Sequence, residues 1–110
     1  MNERLLRELI IDMLKKRLSK EYKEIDVNPS GSPDLILSNH GFRVAVVQVE
    51  TESGINTERA DTWKQMAQDG SKLIIMVPKD EKVKMMEILW SKGIADKVGV
   101  GTYEIVLKMP

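Results

Sequence analysis

Carboxylates and lysines are the expected carriers of chemistry in this 110-residue chain. It has no cysteine and a single histidine, His40. Disulfides, thiolate zinc sites and cysteine nucleophiles are therefore excluded, as are zinc sites needing two histidines. His40 falls in a predicted hairpin turn and no G-x-S-x-G elbow occurs, so Ser-His-Asp catalysis is not expected. Phosphate loops of the GxGxxG or GxxxxGK[ST] kind are absent as well. What remains gathers in residues 32–54, SPDLILSNHGFRVAVVQVETESG. In a strand, side chains alternate between faces, so Gln48, Glu50 and Glu52 project to one side and Val47 and Val49 to the other. Asp34 arrives from the neighbouring strand. Oxygen ligands of this kind suit a hard cation such as Mg²⁺, which polarises a phosphoryl oxygen and lowers the pKa of an attacking water. The plainer alternative is a strand tip that leaves the sheet and is wet.

The elements that must position these residues follow from periodicity. Residues 3–18 predict a helix, with Leu5, Leu6, Leu9, Ile10, Met13, Leu14 and Leu18 on a broad apolar arc and acids before bases along the dipole. Glu8 and Asp12 lie at one edge of that arc, where a solvent-facing partner to a lysine or arginine is the ordinary role. Residues 21–28 alternate as a strand through Tyr22, Ile25 and Val27, and the prolines and glycine of 29–33 then break the chain. Leu35-Ile36-Leu37 and residues 44–49 predict two strands joined by a turn at Asn39-His40-Gly41.

A helix is expected over 57–69, capped by Asn56 or Thr57, with Ala60, Trp63, Met66 and Ala67 inward and Gly70 just past its end. Residues 73–77, LIIMV, predict a strand buried on both faces. A third helix, 80–92, is expected to start at Asp80 and to bury Val83, Met86, Leu89 and Trp90, with Met85, Met86 and Trp90 as core filling. Gly93-Ile94 would stop it, and residues 98–107 predict a last strand. The order αβββαβαβ implies an antiparallel meander followed by parallel crossover units. The expected fold class is α/β, one domain over 1–110 with a mixed central sheet flanked by helices.

Seventeen basic and seventeen acidic residues cancel to zero net charge, so no general basic field draws the molecule onto nucleic acid. The runs Lys15-Lys16-Arg17 with Lys20, and Lys79, Lys82, Lys84, Lys92 and Lys97, read as solvated helix faces. No apolar run approaches the roughly 20 residues that span a bilayer. Charge from residue 3 onward argues against a signal peptide, and a cytoplasmic protein is expected.

The order of these elements resembles the PD-(D/E)xK nuclease superfamily, the restriction-endonuclease-like fold of restriction enzymes and Holliday-junction resolvases. The resemblance runs from Glu3 to about Tyr103. Pro33-Asp34 fits the Pro-Asp element, and about 15 residues later Gln48-Val49-Glu50 stands where the family has acid-x-lysine. The motif is degenerate, with Gln48 in place of the metal-binding acid and Glu50 in place of the lysine. What the resemblance implies is a divalent-metal-dependent DNA endonuclease or resolvase-like phosphodiesterase. Mg²⁺ or Mn²⁺ would be held by Asp34, Glu50 and the carbonyl oxygen of Gln48. Some members add a first-helix glutamate, for which Glu8 is the candidate. The lysine moves within this superfamily, and Lys64 would be its replacement, stabilising transition-state charge. A C2 homodimer is expected, since one small site per chain must cut two strands. The departures support the alternative of a nuclease-fold domain that has lost catalysis and binds nucleic acid or a protein partner.

Overall fold

The computed structural model describes residues 2–28, 31–68 and 70–105. Residues 29–30 of the expected chain break, the expected helix end at 69 and the strand positions 106–107 lie outside them. Helix α1 (Glu3–Leu18) begins where the Asn2 side chain accepts the Arg4 N–H at 2.8 Å, satisfying one of the orphan donors of a helix start. The seven-residue apolar arc expected for it is wider than one sheet face can cover. Packing settles on Ile10, Ile11, Leu14 and Leu18, while Leu5, Leu9 and Met13 face outward. Arg7 lies on the inward side too, half-buried.

Strand β1 (Glu24–Val27) is shorter than the expected 21–28. Strands β2 (Leu35–Asn39) and β3 (Phe42–Val49) form a hairpin around His40 and Gly41. Both turn residues have positive φ, 54° and 82°, the backbone that matches a two-residue turn to the twist of its strands. A 3-10 turn, Thr57–Arg59, capped by the Asn56 side chain at 3.0 Å, leads into α2 (Ala60–Ala67). Ala60, Trp63 and Met66 are buried as expected.

After β4 (Lys72–Pro78), a second 3-10 turn, Lys79–Glu81, precedes α3 (Lys82–Ser91). The helix carries apolar residues on more than one side, so their spacing alone leaves open which stripe is buried. Met85, Ile88 and Leu89 are buried, whereas Val83 and Trp90, both expected inside, are each 70% exposed. The helix ends at Gly93, φ 73°, with Ile94 N–H donating to the Leu89 carbonyl and its side chain buried. Strand β5 (Val98–Tyr103) closes the sheet.

The five strands lie in the order β1-β2-β3-β4-β5. β1, β2 and β3 pair antiparallel, while β3-β4 and β4-β5 are parallel, the consequence of the α2 and α3 crossovers. The fold is α/β, a mixed sheet with helices on both faces. One face carries Trp63, Met66, Met85 and Leu89 against Val46, Leu73, Ile75 and Val77. On the other, Ile11, Leu14 and Leu18 of α1 pack on Leu35, Leu37, Ala45 and Val47. Among the described residues no helix is long and apolar enough to cross a membrane. β3 is the hinge of the topology, antiparallel to β2 on one side and parallel to β4 on the other. Its carboxyl end meets the carboxyl ends of β4 and β5, the edge where open α/β sheets place their ligands.

Candidate functional site

Gln48 and Val49 are the last paired residues of β3, and Glu50 continues the ladder one residue further, its N–H donating to the Met76 carbonyl at 2.9 Å. Gln48 and Glu50 are each 1% exposed and Asp34 2%. Extending the Leu35–Val47 register by one residue sets Asp34 across from Gln48 on the same face. Asp34 carries the ladder on with its side chain, Oδ2 accepting the Val49 N–H at 2.7 Å. Burial pushes the Asp34 carboxyl above the ordinary aspartate range, the Val49 hydrogen bond and Arg7 opposing it and the Glu50 charge adding to it. The third residue of the expected row, Glu52, leaves the face. It starts a 3-10 turn, Glu52–Gly54, and is exposed.

A buried carboxylate must be paired or hydrogen-bonded to persist as a charge. Glu50 is enclosed from both faces of the sheet. From the α2 side, Trp63 Nε1 donates to Oε2 at 2.6 Å, and Arg59 reaches the same oxygen with Nη2 at 2.9 Å and Nε at 3.3 Å. From the α1 side, Arg7 Nη2 lies 3.4 Å from Oε1 and donates to the Val49 carbonyl at 2.8 Å. Both arginine side chains remain 34% exposed. The backbone is pinned as well, since Tyr103 O–H donates to the Glu50 carbonyl at 2.8 Å. Burial lifts the Tyr103 phenol to about 12. Gly54 lets its loop close over the carboxylate, because a Cβ there would meet Glu50 Oε1 at 2.9 Å.

Above this network lies a concave pocket of about 570 Å³. Its charged lining is Glu3, Arg4, Arg7, Glu50 and Arg59, three cations against two anions, a net charge of +1. Glu3 is held at the rim by Ser53, whose hydroxyl and N–H donate to it and draw its carboxyl below the usual glutamate range. Gln48 lines the floor. Its Oε1 is the one buried side-chain polar atom among the described residues without a hydrogen-bond partner.

The expected metal ligands can be tested on this donor set. Mg²⁺ demands several oxygens in near-octahedral geometry. Both oxygens of Glu50 already accept hydrogen bonds, one of the two Asp34 oxygens is taken by Val49, and Gln48 offers one neutral oxygen. A guanidinium, itself a cation, occupies the Val49 carbonyl and the near side of Glu50. No group of three or more histidines or acids among the described residues is placed to hold a metal. The residues present do not fit Mg²⁺ or Mn²⁺.

Asp34, Gln48 and Glu50 are thus brought together, and the other two expected residues are not. Glu8 faces solvent and pairs with Arg4 at 3.5 Å, because the inward side of α1 presents Arg7 one residue earlier. Lys64 is exposed on α2 and does not line the pocket, because its neighbour Trp63 takes the position facing Glu50. Sequence reasoning missed Arg7 and Arg59. Signals existed for both. Arg7 is a charge set within an apolar arc, three and seven residues before Ile10 and Leu14. Arg59 stands one helical turn before Trp63, on the same face.

Compared with known proteins, the chain matches no family model, no curated protein and no solved structure.

Proposed function

We propose that this chain is a nucleic-acid-binding domain of restriction-endonuclease-like architecture that grips phosphate through arginines and does not cleave it. One observation carries the reading. Glu50, standing where the resemblance has lysine, is closed by Arg7, Arg59 and Trp63, and the two half-exposed guanidiniums line an open pocket of net positive charge. The element order and the antiparallel-then-parallel sheet support the architectural half of the proposal.

The binding role rests on ordinary physical chemistry. Guanidinium donors match phosphate oxygens in a planar fork. An arginine already fixed by a buried carboxylate loses less side-chain freedom when it binds than a free one. Glu50 thus serves as a positioning residue, aiming two cations without meeting the ligand itself. Neutralising phosphate releases counterions, so affinity should fall with salt, with a log–log slope of about −1.4 for two phosphates of a single strand.

The test is fluorescence anisotropy of labelled single-stranded and duplex oligonucleotides, DNA and RNA, in EDTA across a salt series. A gel assay with Mg²⁺ or Mn²⁺ runs alongside. Metal-independent, salt-sensitive binding that Arg4→Glu weakens, with no cleavage, is expected. Cleavage abolished by Asp34→Ala would replace this reading with the metal-dependent nuclease. Absence of salt-sensitive binding would remove both.

A further inference from the structure

The shape and charge of the pocket carry one step more, which rests on the reading just given: we infer that the pocket receives the terminal phosphomonoester of a nucleic-acid strand in preference to an internal phosphodiester. Three observations meet here. The first is shape. The pocket is an open, concave hollow lined by the start of α1, by Gly31 and Ser32, by the end of β3 and by the Thr51–Gly54 loop with Arg59.

The second is the charge around it. The adjoining hollow at the carboxyl ends of β4 and β5 shares Glu3 and Thr51 with the pocket and is lined by Glu52, Asp80 and Glu104. The lysine of that hollow, Lys79, is paired with Glu104 at 3.8 Å. A third hollow beside it adds Glu3 and Glu52 again, against Lys84. A strand leaving the pocket on this side would carry its next phosphates over these acids. A strand that ends in the pocket does not.

The third is donor supply. Among the described residues Arg7 spends only Nη2 on protein partners and Arg59 only Nε and Nη2, so both guanidiniums keep N–H groups for a ligand. A monoester carries about −1.5 to −2 charges at pH 7 and three terminal oxygens; a diester carries one charge and two such oxygens. The pocket's fixed cations therefore favour the end group. The preference should follow the second ionisation of the phosphate, near pH 6.

The experiment compares single-stranded oligonucleotides bearing a 5′-phosphate, a 3′-phosphate or hydroxyls only, each labelled at the opposite end (the hydroxyl strand in both versions), by anisotropy in EDTA from pH 5.5 to 7.5. Inorganic phosphate and a nucleoside 5′-monophosphate serve as competitors. A phosphorylated end should bind at least about tenfold more tightly at pH 7.5, with the advantage shrinking toward pH 5.5. Arg4→Gln, a surface change, should reduce that advantage, and Arg59→Lys, which keeps the charge but not the fork, should reduce it further. Equal affinity for phosphate and hydroxyl ends overturns this inference and leaves the nucleic-acid reading standing. Competition by the mononucleotide as strong as the oligonucleotide's own binding also overturns it, assigning the pocket to a small phosphomonoester. No binding of any oligonucleotide overturns both.

Discussion

Replacing Glu50 by glutamine keeps the shape of the side chain and removes its charge, which makes it the sharpest probe of the network. Two short bonds lose their anionic acceptor: the one from Trp63 at 2.6 Å becomes neutral, and the one from Arg59 at 2.9 Å loses its ion-pair partner. A hydrogen bond to a charged group contributes about 1.5–3 kcal/mol against about 0.5–1.5 for a neutral one, so the two bonds together lose roughly 2 kcal/mol. On the Oε1 side an amide N–H₂ would face the Arg7 guanidinium, donor against donor. Breaking a fully buried pair costs about 3–5 kcal/mol, but the two arginines are a third exposed and recover hydration, which trims the loss. The expected destabilisation of Glu50→Gln is about 2–3 kcal/mol. For a chain of this length that lowers Tm by about 4 °C per kcal/mol, or roughly 10 °C.

Urea denaturation at pH 7 in EDTA measures it, and a double-mutant cycle with Arg59→Gln should return a coupling of about 1–2 kcal/mol. A metal site would respond with the opposite sign. Were Glu50 an acid held near Asp34 for an absent cation, removing its charge would relieve repulsion and raise stability. A Glu50→Gln protein as stable as the wild type, or more so, refutes the network.

Asp34→Asn tests the burial of the second carboxyl. Its folded pKa is raised, so its contribution favours the folded state at low pH and is lost as pH climbs from about the unfolded value through the folded one. The variant should therefore be more stable than wild type at pH 7 and should lose that advantage near pH 3, read from urea midpoints at the two pH values. Gly54→Ala brings a Cβ to 2.9 Å from Oε1 of Glu50, whose carboxylate is held by Arg7 at that oxygen and by Arg59 and Trp63 at the other; a loss of about 1–2 kcal/mol in the same assay is expected. Trp90→Ala should change stability by no more than about 0.5 kcal/mol, since Trp90 faces solvent, whereas the adjacent Leu89→Ala should cost about 2–5 kcal/mol. Equal losses at the two positions would contradict the orientation of α3.

The sheet was legible because alternation and turn residues are local signals. His40-Gly41 marks the hairpin, and the run at 73–77 marks a central strand with no reference to the rest of the chain. Helix faces were harder to read. Seven apolar residues on α1 leave its orientation undecided, and only the width of the sheet surface beneath selects Ile10 and Leu14 over Leu5, Leu9 and Met13. On α3 packing takes the stripe of Met85, Ile88 and Leu89 and leaves Trp90 outward. The site divides in the same way. Gln48 and Glu50 were found from strand alternation, and Asp34 from its place at the head of the neighbouring strand. Arg7 lies 43 residues from Glu50 in sequence and comes from the opposite face of the sheet, so no local spacing links the two. The acidic run at residues 48–52 gives no sign of the cations beside Glu50, because they come from elsewhere in the chain.

The account turns on what cation serves Glu50. Side-chain Nε–Hε resonances of Arg7 and Arg59 in ¹H–¹⁵N NMR spectra report it directly, in EDTA, then with Mg²⁺ added, then with a 5′-phosphorylated oligonucleotide. In EDTA the Arg59 resonance should exchange slowly, because its Nε–H is bonded to Glu50, while Arg7 is held through Nη2 alone; neither should respond to Mg²⁺, and both should shift when the oligonucleotide is added. Resonances that move or vanish on adding Mg²⁺ alone, as the metal displaces the guanidiniums from the carboxylate, would contradict it.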